Sequence, residues 1–285
     1  MTEPTPNSTP DNETGNRASF TLIASISFVV LLLVIGGIVL ATSGGDDDSE
    51  TATAPVTSSV APTRAPSTAT GFGTPAVDAF GRRVDIPNNP AGQPLEQSGS
   101  QRTPGDADWL TAAPAGTRDK GGWQRVAGAS VPFSTSDGPT QIRDGVPTGY
   151  AHTPQGAALA AAYVLWETSA RPGDRVLRER MVVMSEGELA EFDRLKAQGR
   201  LPETQPESVT RYMVAPDAFR IVSWADDLCV LELATRAEPD GNGVARWVSN
   251  QLPMVWDGTG WRLRLPADQR LRQETVHALA GWTPW

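Results

Sequence analysis

The stretch Leu228-Cys-Val-Leu-Glu-Leu-Ala-Thr-Arg236 places Cys229, Leu231 and Leu233 at every second position, the period of a strand with one dry face. Asp240-Gly-Asn-Gly243 follows as a hairpin signal, because such residues tolerate the positive φ that tight turns demand. Val244–Trp256 then reads as a long strand, and Asp257-Gly-Thr-Gly260 as a second hairpin signal. Beyond it, Trp261, Leu263 and Leu265 alternate with Arg262 and Arg264, giving one dry face and one wet face. Upstream, Ala218–Trp224 has strand character, and Asp226-Asp227 makes the turn into Leu228. Four strands joined by short turns form an antiparallel sheet.

Further upstream the period changes to that of helices. Thr153 is an N-cap with Pro154 in the first turn, and the Ala-rich run Gln155–Ser169 follows. Gly156 and Ala160 share one face, as do Ala157 and Ala161, a spacing that allows close approach to a sheet. Arg171-Pro-Gly-Asp174 ends this helix, and a second is expected over Arg175–Val183. Ser185-Glu-Gly-Glu188 is a capping box opening a third helix over Glu186–Gln198, stopped by Gly199. Pro266–Ala280 is a further helix candidate, and Gly281-Trp-Thr-Pro-Trp285 a capping tail. Helices followed by a run of antiparallel strands predict an α+β domain, with the helices on one side of a curved sheet.

The whole-chain averages conceal three materials. All nine Trp lie after residue 108, marking the folded domain as 106–285. Residues 44–105 are rich in Ser, Thr, Ala and Pro at their start, with sparse anchors such as Phe72, Val77, Phe80, Val84 and Leu95 later. Such a segment reads as a disordered linker, because it buries too little area to offset chain entropy. Ala18–Gly45 carries no charge and contains Phe28-Val-Val-Leu-Leu-Leu-Val-Ile-Gly-Gly-Ile-Val-Leu40. A bilayer core of about 30 Å needs about 20 such residues, so a transmembrane helix is expected over 18–43. Arg17 precedes this run and Asp46-Asp47-Asp48 follows it, which points to a cytoplasmic tail at 1–17 and an extracytoplasmic C-terminal domain.

The chemistry of the chain is sparse. One Cys and two His in 285 residues exclude an internal disulfide framework and argue against a multi-His metal centre. A net charge of -9 argues against a general nucleic-acid grip. His152 would need a partner carboxylate to act as a base, with Glu167 or Asp226/Asp227 as the candidates. The simpler reading is a helix-cap or loop histidine, with His277 on the surface and Cys229 as a buried inert thiol. Lys120 and Lys196 sit in no catalytic lysine motif. Trp247, Trp256 and Trp261 could stack a sugar ring or anchor a partner, but aromatic residues on alternating strands are usually core. No catalytic, cofactor-binding or metal-ligating residue is assigned.

Several segments carry a resemblance. Asp78-Ala-Phe-Gly-Arg-Arg-Val, Pro87-Asn-Asn-Pro-Ala-Gly-Gln-Pro-Leu95, Ser134-Thr-Ser-Asp-Gly-Pro139, Gly149-Tyr-Ala-His-Thr-Pro-Gln-Gly-Ala-Ala-Leu-Ala-Ala161 and Trp256-Asp-Gly-Thr-Gly-Trp-Arg-Leu263 resemble actinobacterial single-span membrane proteins of integrative conjugative elements. The layout is also similar to the bitopic inner-membrane scaffold of type IV secretion systems, by architecture. That resemblance implies a cone of the nuclear transport factor 2-like or cystatin-like type. It also implies a non-enzymatic conjugation component acting as a protein-interaction scaffold. Its partners would be other membrane and transfer-apparatus proteins or copies of itself, and the bilayer through 18–43. No nucleic acid, small-molecule substrate or cofactor is expected. The alternatives are a module that binds peptidoglycan or another envelope ligand, or an enzyme with a cone-shaped pocket.

Overall fold

The structure, a computed structural model, describes residues 69–285. The expected cytoplasmic tail at 1–17, the membrane helix at 18–43 and the linker as far as residue 68 lie outside the described residues. Among the described residues, no helix is long and apolar enough to cross a membrane.

The strands begin with two hairpins. β1 (Ala76–Val77) pairs with β2 (Arg83–Val84), and β3 (Trp123–Val126) pairs with β4 (Ala129–Pro132). A third small hairpin joins β5 (Gln141–Arg143) to β6 (Val146–Thr148). Four helices follow: α1 (Pro154–Ala170), α2 (Arg175–Met181), α3 (Glu186–Ala197) and the single turn α4 (Glu207–Thr210). The main sheet comprises β7 (Ala218–Ala225), β8 (Leu228–Ala237), β9 (Arg246–Trp256), β10 (Trp261–Leu263), β11 (Gln273–Val276) and β12 (Thr283–Pro284). Its order is β10-β9-β8-β7-β12, with β11 on the outer edge of β9 before β10 begins.

This corrects the expected fold class. Helix and sheet do coexist, but the described residues are mostly β and carry no layer of helices on one side of a cone. The helices differ too much to form such a layer. Every residue of α1 is buried, because its Ala-rich sequence offers no polar face before Glu167. It packs against β4 as well as against β7, β8, β9 and β10. By contrast, α3 contributes Phe192 and Leu195 to a small separate cluster with Leu201.

Local signals explain the helix starts. Thr153 Oγ1 accepts from Gly156 N at 2.9 Å, and Asp174 Oδ1 accepts from Leu177 N at 3.0 Å. The Ser185–Glu188 capping box is formed in both directions. The glycine at 156 serves a contact different from the expected one. A Cβ there would stand 2.1 Å from the Ala151 carbonyl oxygen, so the close approach is to the preceding loop and not to the sheet.

Two expectations fail for tertiary reasons. Pro266–Ala280 forms no helix; Gln269 has a left-handed backbone (φ 58°), and β11 lies within the stretch. β9 runs 11 residues and β10 only three, so the first half of β9 has an edge that β11 fills. The second failure is the linker boundary at residue 105. From Gly71 onward the chain lies against the domain as a strap. Asp85 N donates to Trp123 O and Arg125 N to Asp85 O, while Asp85 Oδ2 accepts from Gly121 N at 2.7 Å. Gly92, at φ 105°, faces the Phe133 ring so closely that a Cβ would stand 2.3 Å from it. Backbone pairing and ion pairs, rather than a run of large apolar side chains, hold the strap.

Candidate functional site

The β8 period places Cys229, Leu231, Leu233 and Thr235 on the face of the sheet that α1 covers. The register brings Met254, Leu252, Asn250 and Val248 of β9 opposite them. Trp224 pairs with Cys229 and Trp261 with Trp256, so these tryptophans stand at the β7–β8 turn end of the same face. The middle of the face is closed: Cys229, Leu231, Leu233, Leu252, Met254 and Leu263 are all buried.

At the turn end an aromatic rim forms. The loop leading into α1 lays the His152 ring on Trp256, with centroids 4.3 Å apart and planes 14° from parallel. Trp261 lies 5.6 Å from both His152 and Trp224 and 5.3 Å from Trp256. Trp109 meets Trp224 edge-on at 5.6 Å. Such offset and edge-on pairs each add about 0.5–1.5 kcal/mol beyond area burial. Trp261 is the buried anchor, and its Nε1 donates to Ala151 O at 2.9 Å. Trp109, Trp224 and Trp256 are half-buried, and His152 is exposed at its edge. The β7–β8 turn is held from two sides. His152 Nε2 meets Asp226 O, and Trp256 N donates to Asp227 O at 2.9 Å.

The rim is acidic. Asp226, Asp227 and Asp257 are exposed around it. Burial pushes the Asp257 carboxyl up, but hydrogen bonds from the Thr259 hydroxyl and the Thr259 and Gly260 amides, with Arg262 nearby, hold it below the usual carboxylate range. Next to the rim, the outer edge of β7 is mostly open. β12 pairs only with Ala218 and Phe219, and among the described residues no other backbone bonds that edge from Arg220 to Ala225. A bulge between Ile221 and Ser223 interrupts the edge and leaves Val222 49% exposed. A bulge of this kind discourages indiscriminate strand pairing.

The candidate residues read from the sequence separate here. Trp256 and Trp261 come together, but Trp247 lies toward the other end of β9, where its Nε1 donates to Asp217 Oδ2 at 2.7 Å. Among the described residues no carboxylate partners His152: its ring contacts a backbone carbonyl, and Glu167 instead holds the buried Arg171 at 2.6 Å. Cys229 is buried, and burial pushes its thiol up to about 12. His277 is exposed, and Lys196 Nζ donates to Gly173 O at 2.8 Å. Among the described residues, no group of three or more His, Cys, Asp or Glu is placed to hold a metal ion. Sequence reasoning missed Trp224 and Trp109. A Trp closing an alternating strand just before an Asp-Asp turn was a usable sign for the first, whereas Trp109 lies in an irregular stretch with no periodic signal.

A family model described as "Domain of unknown function (DUF8175)" matches residues 85–284. The chain belongs to the DUF8175 family. The match begins at Asp85, inside the segment expected to be linker, and takes in much of the strap together with the DUF8175 sheet and the whole aromatic rim. No curated protein and no solved structure matches the chain.

Proposed function

We propose that the chain is a non-catalytic interaction scaffold of a conjugative DNA-transfer apparatus, held at the cell membrane with its folded part outside the cytoplasm. The observation that carries this reading is the half-buried aromatic rim at the open end of the sheet. Partly exposed Trp side chains supply large contact area at low entropic cost and are enriched where proteins dock. The exposed Asp226, Asp227 and Asp257 favour a partner surface bearing Lys or Arg, which also stacks well on indole faces. The uncharged run 18–45 and the resemblance to proteins of integrative conjugative elements support the location and the apparatus. The net charge of -9 disfavours the DNA itself as the bound species.

The test is capture in donor cells with a photo-crosslinker at Thr259, in the turn between Trp256 and Trp261. The expected result is a cross-link to a membrane subunit of the transfer machinery, lost in Trp224→Ala/Trp256→Ala, with DNA transfer reduced in the same variant. Normal transfer after deletion of the gene, with no subunit captured, sinks the proposal. Quenching of tryptophan fluorescence by cell-wall fragments, with no subunit captured, shifts the reading to an envelope-binding module.

A further inference from the structure

Arg82, Arg171, Arg220 and Arg236 each meet a carboxylate. Two arginines that line one cleft do not, among the described residues. The cleft lies between the strap and α4, is open to solvent and has a volume of about 580 Å³. Ala76, Ala79 and Ile86 of the strap line it together with Tyr212, and Arg125 of β3 and Arg211 stand in its walls. That volume lies in the range of small-molecule sites, roughly 300–1,000 Å³.

Both guanidiniums are held by neutral groups. Arg125 is half-buried, and its Nη1 donates to Gly128 O and its Nη2 to Val77 O, both at 3.3 Å. These bonds are long for a charged donor, which reaches an anionic oxygen at about 2.7–2.9 Å. Arg211 lies over the Tyr212 ring, 4.7 Å from its centroid, and its Nη2 donates to Tyr212 Oη at 2.6 Å. The fold brings the two together through Gly128. A Cβ there would stand 2.1 Å from Thr210 Oγ1, so the β3–β4 turn is seated on the end of α4, beside Arg211. Two carboxylates also line the cleft. Asp78 is already engaged, by Arg82 Nε at 2.7 Å and by the amides of Phe80 and Arg82 at 2.9 Å. Glu207 is exposed and forms no ion pair with a described residue, so it alone of the lining acids weighs against the arginines.

We infer that this cleft binds an organic phosphate monoester, with the phosphate held by Arg125 and Arg211 and the organic body lying on Ala76, Ala79 and Ile86. A half-buried guanidinium whose acceptors are distant carbonyls has lost part of its hydration without gaining an anion. A phosphate supplies that anion, and its oxygens accept from two guanidiniums at once. A carboxylate brings one charge and two oxygens, so it fits less well. The apolar floor rewards an organic body that inorganic phosphate lacks. Glu207 repels the head group and holds the affinity below what the arginines alone would give. The cleft shares no residue with the aromatic rim, so the inference stands or falls apart from the scaffold reading.

Phenyl phosphate is the probe, used near pH 7.5, above the second phosphate pKa of about 6. Benzoate and benzyl alcohol are its singly charged and neutral counterparts. Proton–nitrogen correlation spectra of the full chain in mild detergent follow the titration. Phenyl phosphate is expected to move the amides of Val77, Gly128 and Arg211 in a saturable way while the Trp261 indole stays still. Benzoate and inorganic phosphate should each bind about threefold or more weakly, and benzyl alcohol at least about tenfold more weakly. Arg211→Gln, at an exposed position, should weaken phenyl phosphate about five- to tenfold, and Glu207→Gln should tighten it about twofold. The inference is overturned if the three amides do not respond, or if benzoate, inorganic phosphate or benzyl alcohol binds as tightly as phenyl phosphate. It is also overturned if Arg211→Gln leaves the titration unchanged or Glu207→Gln fails to tighten it. Because the comparison of the four probes uses the wild-type chain, it decides the matter even if a variant fails to fold.

Discussion

One sheet face ends in two contrasting ways. At the β7–β8 turn, tryptophans cluster around buried Trp261 with their outer members half-buried. At the β8–β9 end, the face turns polar and is roofed by Phe80 of the strap and Trp166 of α1. The same two-residue period produces both. A helix of 17 residues covers the middle of the face, and what happens beyond its ends depends on which other segments arrive. A loop with a single histidine arrives at one end, and an ordered strap arrives at the other. An uncovered aromatic end suits a large partner, whereas the roofed polar end offers no such aromatic surface.

Mutations should break the two ends differently. Trp261→Ala removes a buried anchor and its bond to Ala151 O, and should destabilise the fold by about 3–5 kcal/mol in urea titration. A value near that of an exposed residue would show that the rim is not tied to the core. Gly92→Ala comes next. Its Cβ would strike the Phe133 ring at a backbone angle unfavourable to alanine, so a loss of about 1–3 kcal/mol is expected. Hydrogen exchange should speed up in the strap around Asp85, and unchanged exchange there would mean that the strap docks by other contacts.

Trp256→Ala should cost only about 1–2 kcal/mol, since the side chain is half-buried, while removing the stacking surface for His152. Thr235→Val at the opposite end should change stability by less than about 1 kcal/mol in either direction, because the hydroxyl it removes has no partner among the described residues. Equal losses for these two variants would erase the distinction between the ends. Smallest is the effect of Asp257. Its folded carboxyl titrates below its unfolded value, so its contribution is present above the unfolded value, near pH 4, and fades as pH falls through the folded one. Asp257→Asn should therefore flatten the acid limb of a stability–pH curve slightly. An unchanged limb would show that its turn bonds do not favour the charged form.

Much of the sheet was readable in advance because its signals are local. Leu228–Arg236 alternates, Asp257-Gly-Thr-Gly260 makes its turn, and Cys229, Leu231 and Leu233 are buried as that period requires. The Thr153 cap and the Ser185–Glu188 box mark helix starts within a few residues of chain. The strap was less legible. Phe72, Phe80 and Val84 are too widely spaced to form a core of their own, and their order comes from partners such as Trp123, Gly121 and Asp217, far away in sequence. The aromatic rim was half legible. Trp256 and Trp261 flank one turn, but Trp109 and His152 join them only through the packing of α1 and its leading loop.

The sequence by itself determined where strands and helices begin, which β8 side chains face inward, and that α1 is apolar enough to be enclosed. Those properties follow from side-chain period and capping chemistry within a few residues. Only the tertiary structure decided that the segment after Gly71 is a wall rather than a tether, that 273–276 is a strand, and that one sheet face ends in an open aromatic rim and a polar recess roofed by the strap. Each of those outcomes depends on the relative lengths of neighbouring elements and on the unpaired edges they leave, quantities that no local stretch of sequence contains.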